Sequence, residues 1–366
     1  ELLLINSDEY KNKMITMFSA GVAPDVFFVY EGDIPEWIRK GLMQNLDSFM
    51  ARDSELNRSR IYEATFEPMT HKNSVFGISE YVNPNGLVWF NKTLFEEQGI
   101  ESPVDLYRAN RWTMDDMRQY AKKLSKFNSD GSRDVWGLHI PNWWGPMLSF
   151  LMCNGFEVSD TQGRLALDTP TNIAAVDYLR TWVTEDLSTN AYEWPDEAGL
   201  LKQKKLAMTI SGGWYTWVID PIKPIEVDVV PMPVGITGAR ASVISNPAIG
   251  MSPACKDKDA AWSFMKYILV GEGARVRALN EGDLPSAKAL TPLVEGAGAN
   301  WKRAMSDSMS WAVSIPNVLT VRGPEAMNTL LYGDESLEGV WRGQQAVKSV
   351  LTDLQKRISA MPVIGE

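Results

Sequence analysis

Lys205-Leu-Ala-Met-Thr-Ile-Ser-Gly-Gly-Trp214-Tyr-Thr-Trp217 decides the reading of this chain. Its first half, Leu206–Ile210, is short and almost wholly apolar, which suits a strand covered on both faces. Ser211, Gly212 and Gly213 then remove every large side chain, and Trp214, Tyr215 and Trp217 follow at once. A strand that ends in glycines and leads straight into indoles carries those indoles at its carboxyl end. In open α/β sheets that is the end where ligands bind.

Working outward, the same pattern recurs. Met14, Met17 and Phe18 lie at helical spacing, Gly21-Val-Ala-Pro24 breaks that helix, and Asp25-Val-Phe-Phe-Val-Tyr30 is a second apolar run. Tyr30-Glu31-Gly32-Asp33 stands at its end, before a helix opened by Pro35 and closed at Gly41. Leu2–Ile5 reads as a strand ahead of them. Later, Thr113-Met-Asp-Asp116 resembles a capping box with Asp in place of Glu, and Thr169-Pro170 opens another helix. Ala260, Ala261, Phe264, Met265, Ile268 and Leu269 mark a helix running to Gly271. Val340, Val347, Val350, Leu351, Leu354 and Ile358 fall on one face of a long C-terminal helix. Strands alternating with helices predict an α/β fold. Asn83-Pro-Asn-Gly86 is the strongest breaker between two apolar runs, and reads as a plain turn or as a hinge.

The chain has 366 residues, so length alone suggests two domains. About three quarters of the surface is buried on folding at this size. Lys and Arg number 36 against 46 Asp and Glu, a net charge of −10 without a basic block. That balance repels phosphate backbones and argues against nucleic acid and polybasic membrane docking. The longest apolar runs, Gly86–Phe90 and Pro146–Cys153, are far too short to cross a bilayer.

Chemical motifs are scarce. Cys153 and Cys255 form no disulfide framework and no CxxC occurs. No GxSxG, HExxH or GxxxxGK[ST] is present. His71 and His139 stand apart, each reading as a surface or hydrogen-bonding histidine, so no metal or cofactor is expected. Asn128-Ser-Asp-Gly-Ser-Arg-Asp134 alternates oxygen side chains but lacks the closing Glu of a calcium loop, and reads as a polar turn. Carboxylate pairs for glycoside hydrolysis are available among so many acids, but nothing singles one out.

The positive signal is aromatic. Fourteen tryptophans exceed the 11 tyrosines and 12 phenylalanines. Any single Trp is more readily explained as core, and for Trp217 core and site are equally good explanations. As a group they need more, because a buried indole N–H requires a partner. Pro141-Asn142-Trp143-Trp144-Gly145-Pro146 sets two indoles between breakers. Flat aromatic faces stack on the C–H faces of sugar rings while Asn, Asp, Glu and Arg bind hydroxyls, as in a pocket with an apolar lining and few directed polar groups.

These segments resemble the extracellular solute-binding proteins of ABC importers, family 1. Ser19-Ala-Gly-Val-Ala-Pro-Asp-Val-Phe-Phe28 is similar to the family's GxxPDV strand entry, and Gly41-Leu-Met-Gln-Asn-Leu-Asp47 to its GLLxPLD segment. Gly86-Leu-Val-Trp-Phe-Asn-Lys-Thr-Leu-Phe95 resembles LxYNKxLF, and Arg111-Trp-Thr-Met-Asp-Asp116 resembles TWxE/D. Lys205–Trp214 resembles GKxAMxxxGxW, the most specific piece. Ala261–Ile268 and Gly282-Asp-Leu-Pro-Ser286 resemble AWxFxKYL…GxxP. Each motif alone is weak, whereas the ordered set runs nearly end to end. Family members carry a strand and a helix ahead of the segment like Leu2–Ile5, so a leader and that strand are expected to precede it.

The resemblance implies an α/β periplasmic-binding-protein type II fold, two lobes joined by a hinge with a ligand cleft between them. It divides the chain into 1–84 with 246–298 and 87–241 with 301–366, the crossings falling near 83–86, 241–247 and 296–301. It implies a monomeric, non-enzymatic binding subunit, periplasmic or extracellular or lipid-anchored, that takes a carbohydrate to ABC permease membrane subunits. The residues expected at the ligand are Tyr30, Glu31, Asp33, Asn85, Asn142, Trp143, Trp144, Trp214, Tyr215, Trp217 and Arg322. Arg322 stands where the family often has an aromatic, after the Ile315-Pro316 turn. A glycoside hydrolase with a Trp-lined cleft and a periplasmic sugar sensor are the alternatives.

Overall fold

The computed structural model describes residues 2–219, 221, 226–280, 284–295 and 300–364. Three sheets organise the chain. One has β1 (Val26–Val29), β2 (Gly77–Ser79) and β10 (Ala248–Met251), with β10 in the centre and both pairings antiparallel. A five-stranded sheet has the order β6 (Thr189–Asn190), β5 (Leu138–His139), β7 (Met208–Ser211), β4 (Leu87–Asn91), β8 (Val227–Pro231). Between them stands a four-stranded sheet with the order β11 (Leu284–Pro285), β3 (Tyr81–Pro84), β9 (Ser242–Ser245), β12 (Ala312–Val313).

The path of the chain explains the third sheet. β2, β3 and β4 follow one another through all three sheets, and β8, β9 and β10 return through them in reverse. The two crossing strands pair antiparallel, Ile244 opposite Pro84 and Ser245 opposite Asn83. Beyond the ladder, the Asn85 N–H donates to Val243 O at 2.9 Å and the Gly86 N–H donates to Ser242 Oγ at 2.9 Å.

Asn83–Gly86 is therefore not a turn. Asn83 and Pro84 complete a strand, and neither Asn85 nor Gly86 has a positive φ. Gly86 is needed for space: a Cβ there would lie 2.9 Å from Ser242 Oγ and 3.0 Å from Ser242 Cα. The glycine permits close approach of two backbones, not a left-handed bend.

The helices follow their sequence signals closely. Thr113 caps the helix Met114–Leu124 with both bonds of the capping box, Asp116 serving in place of Glu. Thr169 caps Pro170–Thr184, whose Val176, Leu179 and Val183 are buried. Asn128–Asp134 forms a turn in a short hairpin, where Asp130 Oδ1 accepts from the Ser132 N–H at 2.8 Å and its hydroxyl at 2.6 Å.

Two expectations fail. Leu2–Ile5 forms no strand: Leu2 and Leu4 are 82% and 83% exposed, and no described strand pairs with this segment. An apolar run becomes a strand only where a ladder partner accepts it. The long C-terminal helix is two helices, Leu337–Trp341 and Val347–Ser359. Gly343, at φ +71°, ends the first in the left-handed region that suits a helix stop.

The largest core lies on the five-stranded sheet and includes Phe90, Trp112, Met147, Phe150, Trp182 and Leu351. Two smaller cores cover the three-stranded sheet, one around Phe66, Trp262 and Met265, the other around Phe27, Val29 and Trp37. Cys153 belongs to the large core and Cys255 to a smaller one, and both thiols are free. No described helix is long and apolar enough to cross a membrane.

Close approach at the crossing gives a direct test. Gly86→Ala must push Ser242 aside and should cost about 1–3 kcal/mol, as overpacking does. Gly32→Ala has nothing within 4 Å of the added carbon and should stay within about 0.5 kcal/mol of wild type. Urea denaturation of the two variants measures the difference.

Candidate functional site

β7 is buried along its whole length and ends at Ser211. Gly212 follows in extended conformation, and Gly213–Tyr215 makes a single 3-10 turn. Both glycines are fixed by crowding. A Cβ on Gly212 would lie 2.4 Å from Trp214 Nε1 and 2.6 Å from Asn85 Oδ1. One on Gly213 would lie 2.4 Å from Met305 Cε and 3.0 Å from Asn83 Oδ1. The Trp214 indole thus folds back over the glycine that precedes it.

A second indole meets it there. Trp143 is the residue before the helix Trp144–Cys153, and its ring lies over Gly145, where a Cβ would be 2.4 Å from Trp143 Cζ3 and 2.8 Å from Asn85 Cβ. The Trp143 and Trp214 rings are 6.2 Å apart between centroids at 45°, and Trp144 stands edge-on to Trp143 at 5.2 Å. All three indoles are half-buried. Asn85 is completely buried beneath them, and neither its Oδ1 nor its Nδ2 has a hydrogen-bond partner among the described residues. Ser211 Oγ is likewise buried and unpaired. Asn142 donates through Nδ2 to Leu331 O at 3.1 Å, leaving its buried Oδ1 unpaired. The result is an aromatic shelf with an unused amide at its root.

Tyr215 is no part of that surface. It is 0% exposed, packed against Trp89 at 5.5 Å and Trp214 at 6.0 Å. Its neighbour Glu197 accepts from the Thr209 hydroxyl at 2.7 Å and lies 2.6 Å from His139 Nδ1, while His139 Nε2 lies 3.0 Å from Glu193 O. Burial pushes the Glu197 carboxyl up, but the hydrogen bond and charge of His139, with the hydroxyls of Thr209 and Tyr215, outweigh it and hold the carboxyl below its ordinary value. Burial, reinforced by the Glu197 charge, drives the Tyr215 phenol well above its own. This network braces the shelf from behind, and no spacing in the sequence links its members.

The other expected residues distribute as follows. Glu31 reaches the crossing strands, its carboxylate accepting from the Ser245 hydroxyl opposite Asn83. Tyr30 is 42% exposed and stands edge-on to Tyr10 and Phe28. Asp33 is held by Lys11 at 2.5 Å, beside Glu36, which Lys11 also reaches. Trp217 is 66% exposed and makes no ring contact with the three indoles. Arg322 lines a cavity of about 1180 Å³ whose lining includes none of Asn85, Trp143, Trp144 and Trp214. Asn83 and Met305 were missed: Asn83 read only as a breaker, and nothing local marks Met305. Among the described residues no group of three or more His, Cys, Asp or Glu is placed to hold a metal ion.

Glu31 gives a pH prediction. Burial raises its pKa above 4.5, with the charge of Asp33 adding to the effect and the Ser245 hydroxyl opposing it. The folded state therefore holds the Glu31 proton to higher pH than the unfolded state does. Stability supplied by the protonated form is present at acid pH and falls as pH rises through that window. In melts from pH 4 to pH 8, Glu31→Gln should gain on wild type as pH rises, since the amide keeps the acceptor and carries no charge.

The family model for bacterial extracellular solute-binding proteins matches residues 2–274. A Brucella abortus (strain 2308) protein named as a binding protein is 24% identical over 289 residues, which is 77% of this chain and 67% of that one. Among solved structures, the sugar-binding protein MalE of Xanthomonas citri superposes with a TM-score of 0.80 at 16% identity, covering 99% of this chain and 89% of that one. An ABC substrate-binding protein from Listeria monocytogenes in complex with cycloalternan gives 0.75 at 21%, over 97% and 89%. A solute-binding protein of Thermotoga lettingae bound with α-D-tagatose gives 0.76 at 18%, over 99% and 91%. The fold is the two-lobed α/β type II periplasmic binding protein fold, and the chain belongs to the bacterial extracellular solute-binding protein family.

Proposed function

We propose that this chain is the carbohydrate-binding subunit of a bacterial ABC importer, and that the Trp143–Trp214 shelf over Asn85 holds a sugar ring. The observation that carries this is the shelf itself: two indoles 6.2 Å apart above a buried amide with unused donor and acceptor. Indole faces cover the apolar side of a pyranose, and an unpaired amide costs about 1–3 kcal/mol until a hydroxyl satisfies it. The sugar-bound structures that share the fold support the same reading. An oligosaccharide suits a shelf of three indoles better than a monosaccharide does.

In this proposal residues 1–84 with 246–298 form one lobe and 87–241 with 301–366 the other. The crossings at 83–86 and 241–247 are the paired strands β3 and β9. The third, 296–301, lies largely outside the described residues. Ligand binding draws the lobes together and shifts an open–closed population, and the closed form is what the permease subunits recognise. Export to the periplasm or the outer cell surface, with or without a lipid anchor, and action as a monomer complete the proposal. The shelf offers stacking and hydrogen bonding, which supports a binding role.

Trp214→Ala should weaken binding of a recognised sugar about thirty- to a thousandfold, the loss of one aromatic anchor worth about 2–4 kcal/mol. Calorimetric titration with maltotetraose and cycloalternan reads the affinity, and a melt of the unliganded variant reads the fold. Lost binding with a native-like melt fits the proposal, whereas a collapsed melt with native affinity assigns Trp214 to the core. X-ray scattering should show a smaller radius of gyration at saturating ligand, and an unchanged curve would contradict closure.

A further inference from the structure

The cavity of about 1180 Å³ has charged walls of a particular kind. Arg39, Arg164, Arg240 and Arg322 line it together with Glu67, Glu157 and Asp160. Asp160 is already committed to Arg164 at 2.7 Å and to the backbone N–H groups of its own turn. Glu157 points to solvent. Burial pushes the Glu67 carboxyl up against the backbone N–H of Asn317, which favours the uncharged acid. Of the guanidinium groups, Arg39 donates through Nη1 to Ile364 O at 2.5 Å, whereas Arg240 and Arg322 each keep an Nε–H unpaired among the described residues. Among the described residues none of Arg39, Arg240 and Arg322 forms an ion pair.

Two of these arginines are built in. Arg240 is clamped between the rings of Tyr107 and Trp311, its guanidinium carbon 5.1 and 4.8 Å from their centroids. Its Nε is buried and has no hydrogen-bond partner. Arg322 donates through Nη1 to Val318 O at 2.6 Å, and its Nε is also buried and unpaired. Aromatic faces fix a guanidinium plane at little entropic cost. A half-buried cation with no carboxylate partner is expensive, and the cost falls only when an anion arrives. A planar fork with free N–H groups matches a planar carboxylate and can take it in two parallel bonds.

We propose that this cavity binds the carboxylate of an acidic sugar residue, so that the ligand class of this protein is uronate-bearing carbohydrate. This rests on the carbohydrate-binding function proposed above and specifies its substrate.

The test is calorimetric titration of the full chain with galacturonate and glucuronate trisaccharides, their methyl esters, maltotriose and glucose 1-phosphate. The acids should bind at least about tenfold tighter than their esters, and their affinity should fall with salt. Arg322→Met and Arg240→Met should each remove the preference for acid over ester. Arg240→Met should leave the melting temperature of the unliganded protein unchanged or raise it, because it removes an uncompensated charge. If Arg240→Met fails to fold, Arg322→Met, which leaves the aromatic clamp intact, carries the test. Equal affinity for acid and ester, binding of maltotriose alone, or preference for the phosphate overturns the uronate proposal and leaves carbohydrate binding standing. No binding of any sugar overturns both.

Discussion

Everything in this molecule is hung on the pairing of two strands, Tyr81–Pro84 and Ser242–Ser245. Each belongs to a consecutive set that runs from one sheet to the other, so their antiparallel ladder is where the two halves of the chain are tied. The tie is tight at Gly86, which leaves no room for a side chain against Ser242. In the proposed lobe closure, paired strands would bend by small changes spread over several residues, and no single loop would have to absorb them. The hydrogen bonds of Asn85 and Gly86 to Val243 and Ser242 extend the ladder and fix which residues face each other.

The aromatic shelf grows directly out of that crossing. Asn83 and Asn85 belong to one crossing segment, and Ser245, which binds Glu31, belongs to the other. The Gly212-Gly213 corner of the five-stranded sheet comes against the same residues. Glycine recurs here for one physical reason: Gly145 lies under Trp143 and Gly212 under Trp214, so each indole rests on bare backbone. Rings seated in this way have little freedom and present a fixed face, which is what a stacking site requires. Behind them Glu197, His139 and Thr209 form a hydrogen-bonded polar brace beside the buried Tyr215. In front, Asn85, Ser211 and Asn142 hold buried polar atoms without partners among the described residues. Indoles seated on bare backbone with unpaired amide groups at their root suit the sugar proposed to bind there.

Four of the tryptophans, Trp37, Trp112, Trp182 and Trp341, are fully buried core residues, as the simplest explanation of any single Trp holds. The shelf draws on three others, so the excess of indoles in the composition reports two separate demands. Local rules were legible because they act over a few residues: the capping box at Thr113, the cap at Thr169, the helix stop at Gly41 and the glycine-ended strand before Trp214 all form as their residue types require. The break at Gly343 was hidden because an apolar stripe continues in register across it.

What the sequence determined by itself was the alternation of strand and helix, the breakers at the crossing, and the clustering of Trp143, Trp144 and Trp214 beside small residues. These follow from hydrophobic period and backbone permissiveness, which are properties of neighbouring residues. Tertiary structure decided the rest. It made Asn83 and Pro84 the end of a strand, where the sequence offered a turn or a hinge, because Ser242–Ser245 was there to pair with them. It withdrew Tyr215 into the core beside Trp89, set Trp217 outside, and drew Met305 and Glu197 to the shelf from distant positions. It also placed Arg322 on a different cavity, with Arg240 as its companion. Burial and the partner of a polar atom depend on residues far away in the chain, and no local pattern encodes them.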